Sequence, residues 1–467
     1  MEATTALVTY TPFRLFSPPA AFTPEPVRRR VAGMKNRGAF MVAGIGLLLL
    51  GVIDVLGAQD RFEFAPVFYS KSTPTNSVSK LQARLASGQL RWERERFTGY
   101  LRPLLGALKI GEDSQTLVFS KTSLQSKLIS PFRPRALFFN DDTYVGFITG
   151  SPTMEISVAD PVLGAVFYTF DQNTRELKRQ TASCLACHGS SRTDELPGHL
   201  LRSIYPNPDG QPFFRAGSYL TNHASPFKKR WGGWYVTGRH GVLRHMGNAL
   251  AEVDGETDVV IDRNTHANRL GLEKQFNTMR YLSPHSDLVA MLVQDHQVHM
   301  HNLLSGACYH TRYAIHDQHI MDKILERDPN VLSASTLRRI ASAGEKLLRY
   351  MLFTEETPLA GKVSGTTRFA EAFSKRGARD SRGRSLYQLD LKTRLLKYPC
   401  SYLIYSDAFD KLPPPIKGFL HRRLWEILSG KDKSPEFAIL KAADRRAILE
   451  ILIATKPNLP AYWKLQK

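Results

Sequence analysis

A chain of 467 residues with 42% hydrophobic and 23% charged residues has the composition of a globular protein with a substantial core. That excludes a disordered chain and leaves room for two or three domains. Formal net charge is +20, and residues 1–58 hold only six Lys/Arg against three Asp/Glu, so the basic excess belongs to the residues that follow.

Residues 1–33 lack hydrophobic periodicity and contain Ser17-Pro-Pro and Arg28-Arg-Arg, a texture that reads as disordered. From Met34 the pattern changes. Lys35 and Arg37 form a positive flank, Gly38 to Ile53 carries no charge, and Gly57-Ala58 offers small residues for a signal peptidase. The apolar run is long for a signal core and short for a span, and Asp54 closes it. A cleaved signal peptide and a retained anchor through residues 38–57 are both open. Either reading places the bulk of the chain in the periplasm or cell envelope, and the anchor reading holds it at the inner membrane.

Residues 59–180 open with amphipathic helices expected over Val78–Leu90 and Gly99–Leu108. Short runs rich in β-branched and aromatic residues follow at 116–119, 135–139, 144–148, 154–158 and 166–170. They are punctuated by Asn140-Asp-Asp142, Gly150-Ser-Pro152 and Asp171-Gln-Asn173. This predicts an antiparallel sheet of four or five strands.

The sheet leads into Cys184-Leu-Ala-Cys187-His188. Two thiols three positions apart reach the two vinyl groups of one porphyrin edge, and the next residue offers an imidazole to the iron. With four Cys and fourteen His in the chain, chance placement yields the pattern in roughly one chain in a thousand. A zinc site using Cys184 and Cys187 would need further ligands to close, and no second Cys-x-x-Cys is present. A redox dithiol would open a helix after a strand in a βαβ unit, which the polar lead-in from Asn173 to Ser183 does not suggest.

On Cys184, Leu185, Ala186, Cys187 and His188 the chain resembles the c-type cytochromes. About 180 residues precede the motif and Gly, Pro and aromatics follow it, so the resemblance points to larger bacterial single-haem proteins rather than to the small soluble cytochromes. It implies one covalent haem c, with its iron held by His188 as proximal ligand. Haem attachment in bacteria takes place outside the cytoplasm, in agreement with the leader.

Residues 181–250 form the expected haem-attachment region. Arg192, Arg202, Arg215, Lys228, Lys229, Arg230, Arg239 and Arg244 face three acids between 189 and 248. Haem propionates would take one or two of these cations through charge-assisted hydrogen bonds, and the remainder would suit an acidic redox partner. Trp231 and Trp234 flank a Gly-Gly turn and are expected to wall the pocket.

A filled second axial position favours electron transfer, and an open one favours ligand binding or catalysis. Candidates in the loop region are His199, His223, His240, His245 and Met246. His296, His299 and Met300 lie further on, in an apolar-periodic stretch from Ser286 to Leu304 where His296, His299 and His301 cluster. His296 and His299 rank slightly above Met246 as distal candidates.

From 251 to 467 the chain reads as mainly helical, with periodicity at 320–326, 335–353, 415–428 and 444–455, the last with Asp444 as N-cap. Residues 366–397 hold nine Lys/Arg against three acids. The exported location argues against nucleic acid, so membrane headgroups or an acidic protein suit this charge better. Cys308 and Cys400 are expected as separate buried thiols, with a disulfide as the alternative. The chain as a whole is expected to be an exported α+β c-type cytochrome acting in electron transfer. An oxidoreductase or ligand-binding haem protein with an open distal site is the alternative, and a zinc-stabilised envelope binding protein a second.

Overall fold

The computed structural model describes residues 60–254 and 258–464. The expected disordered segment 1–33 and the leader at 34–58 lie outside the described residues. Asp60–Lys467 forms one compact unit with the α+β architecture that the sequence leads one to expect.

Two helices open this unit, α1 (Ser77–Ala86) and α2 (Leu101–Ala107). The side chain of Asn76 caps α1 by accepting from the Ser79 amide. Five strands follow: β1 (Thr116–Val118), β2 (Arg135–Phe139), β3 (Thr143–Phe147), β4 (Thr153–Asp160) and β5 (Gly164–Asp171). β6 (Leu177–Gln180) lies inside the polar lead-in, where no strand is expected. The motif itself is the single turn α3 (Leu185–His188). β7 (Arg202–Ile204) and β8 (Ser218–Leu220) form a small ribbon, and β9 (Trp234–Tyr235) returns to the main sheet.

That sheet has seven antiparallel strands in the order β6-β5-β4-β3-β2-β1-β9. It exceeds the expected four or five because β6 adds a charged edge and β9 arrives from the distant loop region. Neither short strand is a run of β-branched and aromatic residues of the length that marks β2 to β5.

Side chains alternate across the sheet as the pleat requires. Phe138, Val145, Phe147, Ile156, Val166 and Phe170 point to one face and pack with α1 and α2 into a closed core. Each large apolar side chain so buried stabilises the fold by about 1.5–3 kcal/mol. The other face carries Leu137 with Gly146 and Glu155, then Tyr144 with Ser157 and Phe167, in two cross-strand rows. Along β4 this face is only half buried, while the opposite one is fully buried.

The second core is organised by α4 (Leu288–Ile324), a helix of 37 residues, about 55 Å long at 1.5 Å per residue. Asp287 caps it through the Val289 and Ala290 amides. The other Asp287 oxygen accepts from the Thr366 and Thr367 amides, which ties the helix start to the C-terminal region. α5 (Ala334–Met351), α6 (Pro414–Leu428) and α7 (Ala442–Thr455) are the other long helices of this half. Helical structure expected at 320–326 is the end of α4. Asp444 sits inside the first turn of α7 and pairs with Arg394 at 2.8 Å, whereas Lys441 holds the cap position.

Candidate functional site

The CxxCH turn is held by its own backbone and by the core beneath it. Leu185 is buried in the sheet core, and the His188 and Gly189 amides donate to the Cys184 and Leu185 carbonyls at 3.0 and 2.8 Å. Leu185 faces inward, so Cys184 is left half-buried and Cys187 exposed on either side of it.

The loop after the turn fixes the imidazole. His188 Nδ1 lies 2.9 Å from the Gly198 carbonyl, and the Gly198 amide donates back to the His188 carbonyl at 2.8 Å. Burial holds the His188 pKa below the usual histidine range, with the Gly198 bond partly opposing it. The ring is therefore neutral at pH 7, Nδ1 carries the proton, and Nε2 presents a lone pair with no partner among the described residues. Gly198 is required here by close approach. A Cβ would stand 2.9 Å from both Asn302 Oδ1 and Thr193 Cβ.

Cys184, Cys187 and His188 all line one cavity of about 320 Å³ on the half-buried face of the sheet, within the size range of small-molecule and cofactor sites. Its floor includes Leu137, Gly146, Ser157 and Phe167, and its opposite wall Leu201, Trp234 and Val298 of α4. The Phe167 ring centroid is 4.7 Å from that of His188. Arg135 crosses β3 to pair with Glu155 at 2.5 Å, and its guanidinium lies where a Cβ on Gly146 would be. Position 146 thus has to be Gly for the ion pair to lie flat on the floor.

A second imidazole, His199, also lines this cavity. Asn302 of α4 clamps its backbone from both sides, accepting from the His199 amide and donating to its carbonyl, each at 2.8 Å. His199 Nδ1 is 3.3 Å from Ser157 Oγ, and its buried Nε2 has no hydrogen-bond partner among the described residues.

Comparison with family models, with curated proteins and with solved structures gives no match.

Met246, His296 and His299 are absent from the cavity lining. Met246 Sδ accepts from Ser203 Oγ at 3.4 Å in a small separate cluster with Tyr205. His296 is committed at both nitrogens, to His223 Nδ1 at 2.9 Å and Ser401 Oγ at 2.7 Å. His299 packs edge-on against Tyr350. His301 is committed likewise, to Tyr144 OH at 3.3 Å and the Asp141 carbonyl at 3.0 Å. The histidine cluster on α4 is thus largely spent on holding the helix to its neighbours.

Of the cations in the basic loop, Arg192 and Arg202 line the cavity, and neither has a carboxylate partner among the described residues. Arg230 instead is buried against Asp295 at 3.2 Å, with 2% and 0% of the two side chains exposed. Trp231 Nε1 donates to the same carboxylate, so Trp231 braces α4, and only Trp234 of the pair walls the cavity.

Three features of this cavity suit a covalently attached haem. Both thiols open onto it, one neutral imidazole presents a free Nε2, and an apolar and aromatic wall faces them. The described residues contain no cluster of three or more His, Cys, Asp or Glu side chains arranged to hold a metal ion by themselves.

Proposed function

We propose that the chain is an exported c-type cytochrome that binds one haem through Cys184 and Cys187, with His188 as the iron's proximal ligand, and that it transfers electrons. The observation that carries this reading is the His188 bond to the Gly198 carbonyl at 2.9 Å. It fixes the tautomer that leaves Nε2 for a metal and raises its basicity, as second-shell partners of ligating histidines do. The bound group would supply one-electron chemistry at iron.

His199 would be the second residue to hold the group, since it lines the same cavity with an unpartnered Nε2. Held by both His188 and His199, the group would supply electron transfer rather than catalysis. Phe167, Trp234 and Leu201, which line the cavity, would keep water from the group. The exposed Cys187 marks the side that opens to solvent, and Arg192 and Arg202 beside it give that opening the positive potential an acidic redox partner would meet. In the alternative reading His199 stays off the iron and acts as a hydrogen-bond donor to a ligand bound there.

The test is the absorption spectrum of protein exported in a host with c-type maturation machinery, recorded ferric, ferrous, and ferrous with carbon monoxide. Covalent haem should be present in the wild type and absent from C184A/C187A, and its absence from the wild type would overturn the proposal. Carbon monoxide should leave the wild-type ferrous spectrum unchanged and shift that of H199G. A shift already in the wild type would favour the open-site reading.

A further inference from the structure

The end of the α4–α5 hairpin is anomalous for a water-facing surface. Eighteen large apolar side chains are exposed among the described residues, and six of them fall between 320 and 337: Ile320, Met321, Ile324, Leu325, Val331 and Leu337. Ile324 and Val331 are 67% and 66% exposed. Single exposed apolars are ordinary, but a third of the total in one short stretch is not.

The chain's entry into the fold lies on the same side. Arg61 Nη2 pairs with Asp317 Oδ1 at 2.7 Å, and the Arg61 guanidinium lies 4.1 Å over the Tyr313 ring. Asp317 also takes Arg339 of α5 at 3.0 Å. Ile320, Met321 and Ile324 follow Asp317 at i+3, i+4 and i+7, so they share its helix face. The charge-free run Gly38 to Ile53 ends eight residues before Arg61, a reach of at most about 28 Å. Lys323, Arg327 and Arg338 border the patch, against Glu326 and Asp328.

We propose that this hairpin end is a membrane-contact surface, its six apolar side chains entering the headgroup boundary of an anionic bilayer to which residues 38–53 would tether the chain. This use of the apolar run rests on the anchor reading of the leader and is independent of haem. An amphipathic surface of apolar side chains rimmed by Lys and Arg is the form that interfacial binding takes.

The test uses the full chain reconstituted with vesicles of phosphatidylethanolamine and phosphatidylglycerol, with brominated or unbrominated acyl chains. I324W is compared with I439W, since Ile439 is a similarly exposed apolar site at 58%. Both positions point into solvent, so neither substitution disturbs a core. The proposal expects bromine to quench the added emission of I324W about twofold or more, as for a side chain at the acyl boundary, and to leave I439W unchanged. Equal emission of I324W with and without bromine overturns it. So does failure of the full chain to float with the vesicles, or a self-associated form that I324S dissociates, which would assign the patch to a second copy.

Discussion

Replacing Gly198 by Ala tests whether the loop that holds His188 is built as tightly as its contacts imply. The new methyl would sit 2.9 Å from Asn302 Oδ1 and 2.9 Å from Thr193 Cβ and Cγ2. Neither neighbour is free to yield. Asn302 is bonded at both ends to the His199 backbone, and Thr193 is buried with its hydroxyl on the His188 and Ser190 carbonyls. Overpacking of this kind costs about 1–3 kcal/mol, and displacing the Gly198 carbonyl from His188 Nδ1 adds about 0.5–1.5 kcal/mol. The expected loss is therefore about 2–4 kcal/mol, read as a lower urea midpoint at unchanged slope. Gly418 of α6 is the control, because no atom lies within 4 Å of its added Cβ and Gly to Ala inside a helix stabilises by about 0.5–1 kcal/mol. If G198A unfolds at the wild-type midpoint, the close approach is not a constraint and His188 is not held as argued.

Other perturbations reach different parts of the same arrangement. D295N leaves the Arg230 cation buried without its counter-charge and should cost about 3–5 kcal/mol, whereas R230M/D295L should recover most of it; a loss under about 1 kcal/mol for D295N would mean the pair is solvated. Burial holds His301 at a pKa of about 4. The unfolded chain therefore takes up a proton that the native state refuses, so stability should be full above the unfolded value and fall as pH drops from about 6.5 towards 4, by up to about 3 kcal/mol for this residue. Urea midpoints measured across that window should fall, a smaller drop is expected in H301Q, and a flat profile would contradict the buried neutral ring. Cys308 and Cys400 are both buried and free, and burial raises their thiols to about 11 and about 12. Haem-loaded protein should accordingly show no thiol reactive to Ellman's reagent when native and two when unfolded, and none on unfolding would mean that they are linked.

Legibility followed how local each signal is. Strands β2 to β5 could be read because each is a run of β-branched and aromatic residues bounded by turn residues, a signal that the chain displays by itself. β6 and β9 could not, since Leu177-Lys-Arg-Gln180 and Trp234-Tyr235 become strands only through partners already in place. Cys184, Cys187 and His188 stand out in the sequence because a haem tether would fix their spacing, and the structure brings all three to one cavity. The preference for His296 and His299 came from clustering on a helix face, and clustering alone does not reveal which nitrogens the protein itself will occupy. His199, one of several imidazoles in the basic loop, had no local feature to raise it above the others. Its relation to His188 comes from Gly198, the residue immediately before it, whose carbonyl meets His188 Nδ1, and its backbone is fixed by Asn302, about a hundred residues on.

Asn302 is one of several α4 residues on which the cavity depends. Val298 forms part of its wall, and Gln297 donates to the hydroxyl of Tyr144, which lines it. Asp295 anchors Arg230 and Trp231, and so sets the position of the Gly-Gly turn that delivers Trp234. All of these lie within two turns of one rigid helix, so the wall opposite the CxxCH turn moves as a unit if it moves at all. A wall braced by one helix would suit a group that must keep a constant surrounding while its charge changes by one, as the proposed haem would. Preorganised, water-poor walls reduce the rearrangement that such a change demands. By the same reasoning, loosening α4 at Asn302 should disturb a haem held as proposed more than an equally destabilising substitution in α7. Comparing the ferric-to-ferrous potential of N302A with that of an α7 variant such as I451A, matched for urea midpoint, separates the two: a shift confined to N302A is expected, and equal shifts would reduce α4 to an ordinary core helix.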